Sequence, residues 1–222
     1  MNARVNLVRA SVMAMLVSGS LVGGSASAAL ITFDTLVAGA TSFGYDGDGD
    51  GINDVIFSTT DPSGFNTVGP GPNMTYIREP GIEGTSLLNP DLRVDFLRGA
   101  IGSLTFGFAL NSFVSDPAYV ANFRVFNASG TEIASATQQG LFTITVPPSG
   151  LSSFPEGQIS LPFAGEAAYA TFDFTSQFGR YIVDDFGGTF GSTERPSVPE
   201  PGTLALLGFG LAGLAAARRR KQ

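Results

Sequence analysis

The central part of this 222-residue chain is predicted to be all-β, an antiparallel two-sheet β-sandwich of jelly-roll-like kind. Three observations predict it. Between residues 30 and 190 the chain holds about ten period-two or apolar runs of four to eight residues, and no helical stripe longer than two turns. The runs are punctuated by Gly, Pro, Asn, Asp and Ser, and the 29 Gly and 13 Pro suit a protein rich in turns. The aromatic content is carried by 19 Phe, a supply of core-forming rings that a disordered acidic chain lacks. Strand-sized pieces at spacings of about 8 to 20 residues, without helices between them, favour two packed sheets. A closed barrel is the alternative topology, and the absence of a fixed-period repeat argues against a solenoid or propeller.

The elements follow in order. Residues 31–34, 54–58 and 74–78 are short apolar or alternating runs, and 92–96 is another. In 103–110, Leu104, Phe106, Phe108 and Leu110 alternate with Ser103, Thr105, Gly107 and Ala109, the pattern of a strand with one buried face. Runs at 122–127 and 132–137 flank Asn127-Ala128-Ser129-Gly130, a hairpin turn by composition. Further strands are expected at 142–146, 158–163, 169–174 and 180–186. From residue 191 to 202 periodicity stops and Ser, Thr, Pro and Glu take over, as in a linker.

Composition removes several chemistries. With no His and no Cys, the chain has no Cys/His zinc site, no thiol nucleophile, no Ser-His-Asp triad and no disulfide framework. Any metal must be held by oxygen. Residues 29–217 carry all 19 acidic side chains against six basic ones, a net −13. That balance argues against nucleic acid and anionic lipid as partners and favours cations.

Both ends read as targeting segments. Arg4 and Arg9 stand at the start of an apolar stretch over 10–22, and small residues lead to Ala26-Ser27-Ala28. This is the charged, apolar, small-residue order of a secretory signal peptide over residues 1–28, with cleavage expected after Ala28. At the other end Val198-Pro199-Glu200-Pro201-Gly202 precedes an uncharged apolar segment at 203–217 and the cluster Arg218, Arg219, Arg220 and Lys221. Cationic side chains resist translocation, so residues 203–222 read as a single transmembrane helix with a basic cytoplasmic stop-transfer tail. Fifteen helical residues span only about 22 Å, short of the roughly 30 Å hydrocarbon core, which suits a transient anchor. The organisation expected is therefore signal peptide 1–28, β-sandwich 29–190, linker 191–202 and membrane tail 203–222.

The motif, apolar span and basic cluster in this order over residues 198–222 resemble the PEP-CTERM sorting signal of Gram-negative bacteria. The resemblance implies export, a transient stay in the inner membrane with the C-terminus cytoplasmic, and processing near Pro199-Glu200-Pro201 by exosortase, a membrane protease or transpeptidase. Signal peptidase is the partner expected at the N-terminal end. The destination implied is the cell surface or the extracellular medium, often in bacteria that build an exopolysaccharide matrix or biofilm. A tail of this class also ends some ice-binding proteins.

Within the β region the strongest motif is Asp46-Gly47-Asp48-Gly49-Asp50-Gly51-Ile52-Asn53-Asp54. The carboxylates of Asp46, Asp48, Asp50 and Asp54, with the Ile52 carbonyl, place hard oxygen donors around one centre, as Ca²⁺ requires. Four carboxylates in nine residues repel one another, and no Lys or Arg lies near them in sequence. The loop resembles the Asp-rich calcium loops of integrin-type blades and thrombospondin type 3 repeats, which implies a structural calcium site. It departs from an EF-hand, because position 12 is Phe57 and residues 55–57 look like a strand.

Two further acidic groups are Glu79 with Glu83, beside Arg78, and Asp184-Asp185. Paired carboxylates serve glycosidases when they lie about 5 to 9.5 Å apart, but partners for Arg and turn caps are the plainer reading. Tyr45, Tyr76, Tyr119, Tyr169 and Tyr181 offer flat amphipathic rings for sugars if exposed. Taken together, the sequence predicts a non-catalytic, calcium-stiffened, exported surface or matrix protein that contacts exopolysaccharide. The alternative is a carboxylate-dependent carbohydrate-active enzyme on the same sandwich. Ice binding is a weaker alternative, since the scattered Thr show no period.

Overall fold

The structure, a computed structural model, describes residues 27–68, 74–78, 80–143 and 154–191. Every element among the described residues is a β-strand: β1 (Ser27–Ile31), β2 (Ser42–Tyr45), β3 (Val55–Ser58), β4 (Asn66–Val68), β5 (Gly81–Thr85), β6 (Leu92–Leu110), β7 (Val120–Phe126), β8 (Glu132–Gln139), β9 (Glu156–Phe174) and β10 (Arg180–Phe190). All the pairings are antiparallel.

The 19-residue strands β6 and β9 explain the architecture. Each is about three times the usual strand length because it passes through both layers. In the first layer, β6 over 92–95 pairs with β3 on one side and with β9 over 169–172 on the other, and β2, β7 and β8 extend this sheet. In the second layer, β6 over 100–109 pairs with β10 and with β9 over 156–167. The outer edge of β10 carries β5 along one half and β1 along the other, and β4 pairs with β5.

The corner is built by irregularity. The β6–β9 register breaks between Asp95 and Ala100 and again between Ile101 and Ser103. Gly99 and Gly102 sit there at φ +76° and +81°, values that a side chain resists. A Cβ on Gly99 would also collide with the Glu166 carboxylate. Strands that switch sheets at such bends make the corners of β-sandwiches.

Phenylalanine fills the space between the layers. Phe106, from the second layer, meets Phe172 and Phe123 of the first edge-on, with ring centres 4.8 and 4.9 Å apart. Phe186 meets Phe57 at 5.2 Å, and Phe57 meets Phe33 at 5.0 Å. All six rings are fully buried. Such edge-to-face contacts add to the area they bury.

The expected all-β, two-sheet architecture is therefore present, with differences in its parts. The runs at 92–96 and 103–110 are one strand, as are those at 158–163 and 169–174, because each pair is continuous through the corner. The first strand ends at Ile31, where Thr32 turns to donate to Asp34. Residues 74–78 form no strand; the Thr75 and Tyr76 amides donate to the Glu156 carboxylate and the Arg78 amide to Asp184, side chains standing in for a sheet partner. Gly81–Thr85, read from its charges as a polar cluster, is strand β5. The hairpin at 127–130 forms as expected, with Asn127 Oδ1 accepting from the Ser129 and Thr131 amides and Gly130 at φ +78°. β1 includes Ser27 and Ala28, and cleavage after Ala28 would leave Ala29, Leu30 and Ile31 in register with Gly188, Gly187 and Phe186. The expected strand at 142–146 does not form over its described residues 142–143, Leu141 making only an isolated bridge to Glu156; its remainder at 144–146, the signal peptide before Ser27, the linker beyond Gly191 and the membrane tail lie outside the described residues.

Candidate functional site

The Asp-rich loop is the connection of the β2–β3 hairpin. Its carboxylates organise its own backbone. Asp46 accepts from the Gly49 and Gly51 amides at 2.7 and 2.8 Å, Asp48 from Asp50 at 3.2 Å, and Asp50 from Ile52 at 2.8 Å. Oxygens of Asp46, Asp48 and Asp50 converge within 4.8 Å of one another. Asp54 is buried and turned inward, accepting from the Gly47 amide at 2.9 Å.

The structure also supplies what the local sequence lacked, a cation. Arg98, at the β6 corner, donates from Nη1 to Asp48 at 2.8 Å and from Nη2 to Asp50, and its Nε lies 3.7 Å from Asp54 Oδ1. The Arg98 hydrogen bond, reinforced by the Ile52 amide, holds the Asp50 carboxyl below the usual carboxylate range. The same bond raises Arg98 in turn. A carboxylate has about four lone-pair sites, so these bonds leave acceptor capacity for a metal. The donor set is all oxygen and fits Ca²⁺ in kind; Asp46, Asp48 and Asp50 would hold it, with Arg98 as the competing cation.

A second feature was not read from the sequence. On the outward face of the first layer the registers align Ser58 with Arg93, Arg93 with Thr171, Thr171 with Arg124, and Arg124 with Ser135. Directly opposed residues of antiparallel strands point to the same face, so five side chains from β3, β6, β9, β7 and β8 form one row. The neighbouring row is Asp95, Tyr169 and Phe126. Tyr169 and Phe126 stack at 4.8 Å with their planes 10° apart, and the Arg93 guanidinium lies 4.1 Å over the centre of the Tyr169 ring. Arg93 is held by Asp95 through Nε and Nη2, at 2.6 to 3.0 Å, and Arg124 by Asp173 through Nη2 at 2.8 Å.

Arg93, Arg124, Thr171, Tyr169 and Phe126 line a groove of about 310 Å³ together with the segment 58–60. A second depression of about 330 Å³ continues from Arg124 across Asn122, Thr137 and Asp173. Thr171 lies at the floor of the groove, only 9% exposed, and its Oγ1 has no hydrogen-bond partner among the described residues. The signal in the sequence was the alternation itself: Arg93 and Asp95, Arg124 and Phe126, and Tyr169, Thr171 and Asp173 are the outward members of strands whose other residues are buried.

The remaining candidates are placed as follows. Glu83 is bound by Arg180 and by Asn66 Nδ2 at 2.7 Å, and Asp184 is buried and accepts from the Arg78 and Asp185 amides. Asp185 is raised by burial and by its neighbour Asp184, and it sits at φ +52°, a left-handed conformation unusual for a side-chain-bearing residue. Tyr181 is not a platform: it is fully buried, stacked on Phe174 at 4.2 Å, and donates to the Asp91 carbonyl at 3.2 Å. Val198 to Gly202, Arg218 to Lys221 and Ala26 lie outside the described residues.

Residues 197–221 match the model of the PEP-CTERM protein-sorting motif. No curated protein sequence matches the chain. Among solved structures the chain is similar to the K1 cleaved adhesin domain of Lys-gingipain from Porphyromonas gingivalis W83, with 16% identity, coverage of 75% of this chain and 99% of that one, and a TM-score of 0.39. It is similar to a mutant of a family 29 carbohydrate-binding module, with 14% identity, coverage of 79% and 99%, and a TM-score of 0.36. A family 11 carbohydrate-binding module from Clostridium thermocellum in complex with a mixed-linked tetrasaccharide is similar with 11% identity, coverage of 76% and 99%, and a TM-score of 0.35. Likenesses at this level assign no function.

Proposed function

We propose that this chain, which carries a PEP-CTERM protein-sorting motif at residues 197–221 and is thereby an exported, exosortase-sorted protein, is a non-catalytic surface or matrix protein whose sandwich contacts exopolysaccharide. The observation that carries the polysaccharide reading is the open groove, where flat and hydrogen-bonding side chains stand side by side on one sheet face. Sugars take this mixture, since a pyranose ring has apolar C–H faces and a polar rim. The two depressions share Arg124, so a chain could lie along the first and continue toward Asn122 and Thr137.

The non-catalytic part of the reading is supported by the employment of the acidic groups. Glu83, Asp184 and Glu156 each hold a partner strand, amide or guanidinium, which leaves them poorly placed to trade protons with a substrate. Calcium at Asp46, Asp48 and Asp50 is proposed as a structural cation that shares the loop with Arg98. Signal peptidase at Ala28 and exosortase near Pro199-Glu200-Pro201 would then leave the sandwich outside the cytoplasm.

Incubating the mature protein with matrix polysaccharides tests the reading. Retention on the polymer without new reducing ends is the result expected. New reducing ends would favour the carboxylate-dependent enzyme, and the absence of any retention would remove the polysaccharide role. Mass spectrometry of the mature C-terminus is expected to show loss of the apolar segment; an intact Arg218 to Lys221 end on the surface-localised protein would contradict the sorting step.

A further inference from the structure

Resting on the polysaccharide reading, we infer that the groove selects a carboxylate-bearing saccharide, a hexuronate within an acidic polymer, which the Arg93–Thr171–Arg124 row would bind by its carboxylate. Three observations meet at one point. Thr171 is directly opposite both Arg93 and Arg124 in the two registers, so its hydroxyl lies between two guanidinium-bearing strands. Thr171 is nine-tenths buried in the groove lining, and its Oγ1 is unpartnered among the described residues. Leaving a polar atom so costs free energy, and a ligand acceptor would remove the cost. Among the described residues the charged side chains lining the groove are Arg93 and Arg124, whose partners Asp95 and Asp173 are not part of its lining.

The donor arithmetic selects the ligand. Guanidinium groups donate and cannot accept, so a ligand oxygen facing them needs lone pairs. Asp95 takes the Nε and Nη2 side of Arg93 and Asp173 takes Nη2 of Arg124, so Nη1 of Arg93 and Nη1 and Nε of Arg124 lie outside these pairs. A neutral sugar hydroxyl can also accept from a guanidinium, but it is an uncharged single acceptor with a proton of its own to place. A planar carboxylate offers acceptors alone and matches the guanidinium fork. Asp95 and Asp173 set the two guanidiniums in place, as partners outside a binding site do, and the Tyr169–Phe126 stack supplies an apolar wall for the ring that bears the carboxylate. The chain's net negative charge acts over only about 8 Å at physiological salt, so the two guanidiniums with their Asp95 and Asp173 partners set the local balance.

The test uses the mature protein with polygalacturonate and with the same polymer after reduction of its carboxyl groups, which keeps the backbone and removes the charge. Affinity electrophoresis is expected to show binding to the polyuronate at least tenfold tighter than to the reduced polymer. Thr171→Val and Arg124→Gln are expected each to weaken the polyuronate by tenfold or more and so to narrow its advantage over the reduced polymer. Urea melts check that both variants are folded; Thr171→Val conserves shape and keeps the test decisive should Arg124→Gln fail to fold. Equal binding of the two polymers by the wild type, or full polyuronate binding by a folded Thr171→Val variant, overturns the inference while the polysaccharide reading stands. Binding to neither polymer nor to any matrix polysaccharide overturns both.

Discussion

Replacing Thr171 by Val tests whether the groove floor is built for a ligand or for stability. The two side chains have the same shape, and the substitution exchanges a hydroxyl for a methyl at a position that is 9% exposed. In most buried sites this change is destabilising because a hydrogen bond is lost. Here Oγ1 has no bond to lose among the described residues. A buried hydroxyl without a partner costs about 1–3 kcal/mol, so the variant is expected to gain about 1 kcal/mol or more. Val also suits a central strand such as β9 at least as well as Thr. For a domain of this size about 1 kcal/mol raises the melting temperature by roughly 2–4 °C. Urea denaturation should show a higher midpoint with an unchanged slope. Thr137→Val is the control on the same face: its hydroxyl is exposed and donates to Asn122 Oδ1 at 2.7 Å, so stability should change by less than about 0.5 kcal/mol, on the destabilising side. A loss of about 1 kcal/mol or more in the Thr171 variant would refute the reasoning, because it would mean that the hydroxyl is satisfied in the free protein.

Other outcomes follow from the same structure. Phe106→Ala removes a fully buried ring that joins the layers through Phe123 and Phe172 and packs on Phe186 within its own layer, and should cost about 3–5 kcal/mol in urea melts; a cost below about 1 kcal/mol would contradict the two-layer packing. Arg98→Gln leaves Asp48 and Asp50 without their cation, and should lower the melting temperature in chelator and make it rise with millimolar Ca²⁺ more steeply than in the wild type; melts of both proteins indifferent to Ca²⁺ would count against the calcium site. Burial pushes the Asp91 carboxyl up to about 6, above its ordinary 3.8, against the opposing Phe174 and Leu88 amides. The folded state therefore binds more protons between these values, so this group's contribution is full below pH of about 4 and is lost as pH rises through about 6. Asp91→Asn should flatten that fall in stability between pH 4 and 6.5, and an unchanged pH profile would contradict it.

How much of this was legible in the sequence depends on the range of the interaction that decides each feature. Side chains alternate with period two along any strand, so the alternation around Phe106, Phe123 and Phe172 told which residues face inward without knowledge of their neighbours. The turn at Asn127 to Gly130, the acidic loop from Asp46 to Asp54 and the tail from Val198 to Lys221 are likewise contiguous, and each carries its chemistry in residues a few positions apart. The joining of β6 and β9 into long corner strands was hidden because Gly99 and Gly102 look like ordinary breakers, and only pairing across the bend keeps each strand continuous. Arg98 reaches Asp50 across 48 residues of chain, and local charge counting had to miss it. The Arg93–Thr171–Arg124 row depends on the relative register of three strands from distant parts of the chain. That register is chosen by how the Phe core packs between the layers, a property of the whole assembly. Residue type and spacing thus determined which side chains face outward; tertiary pairing alone decided which of them meet.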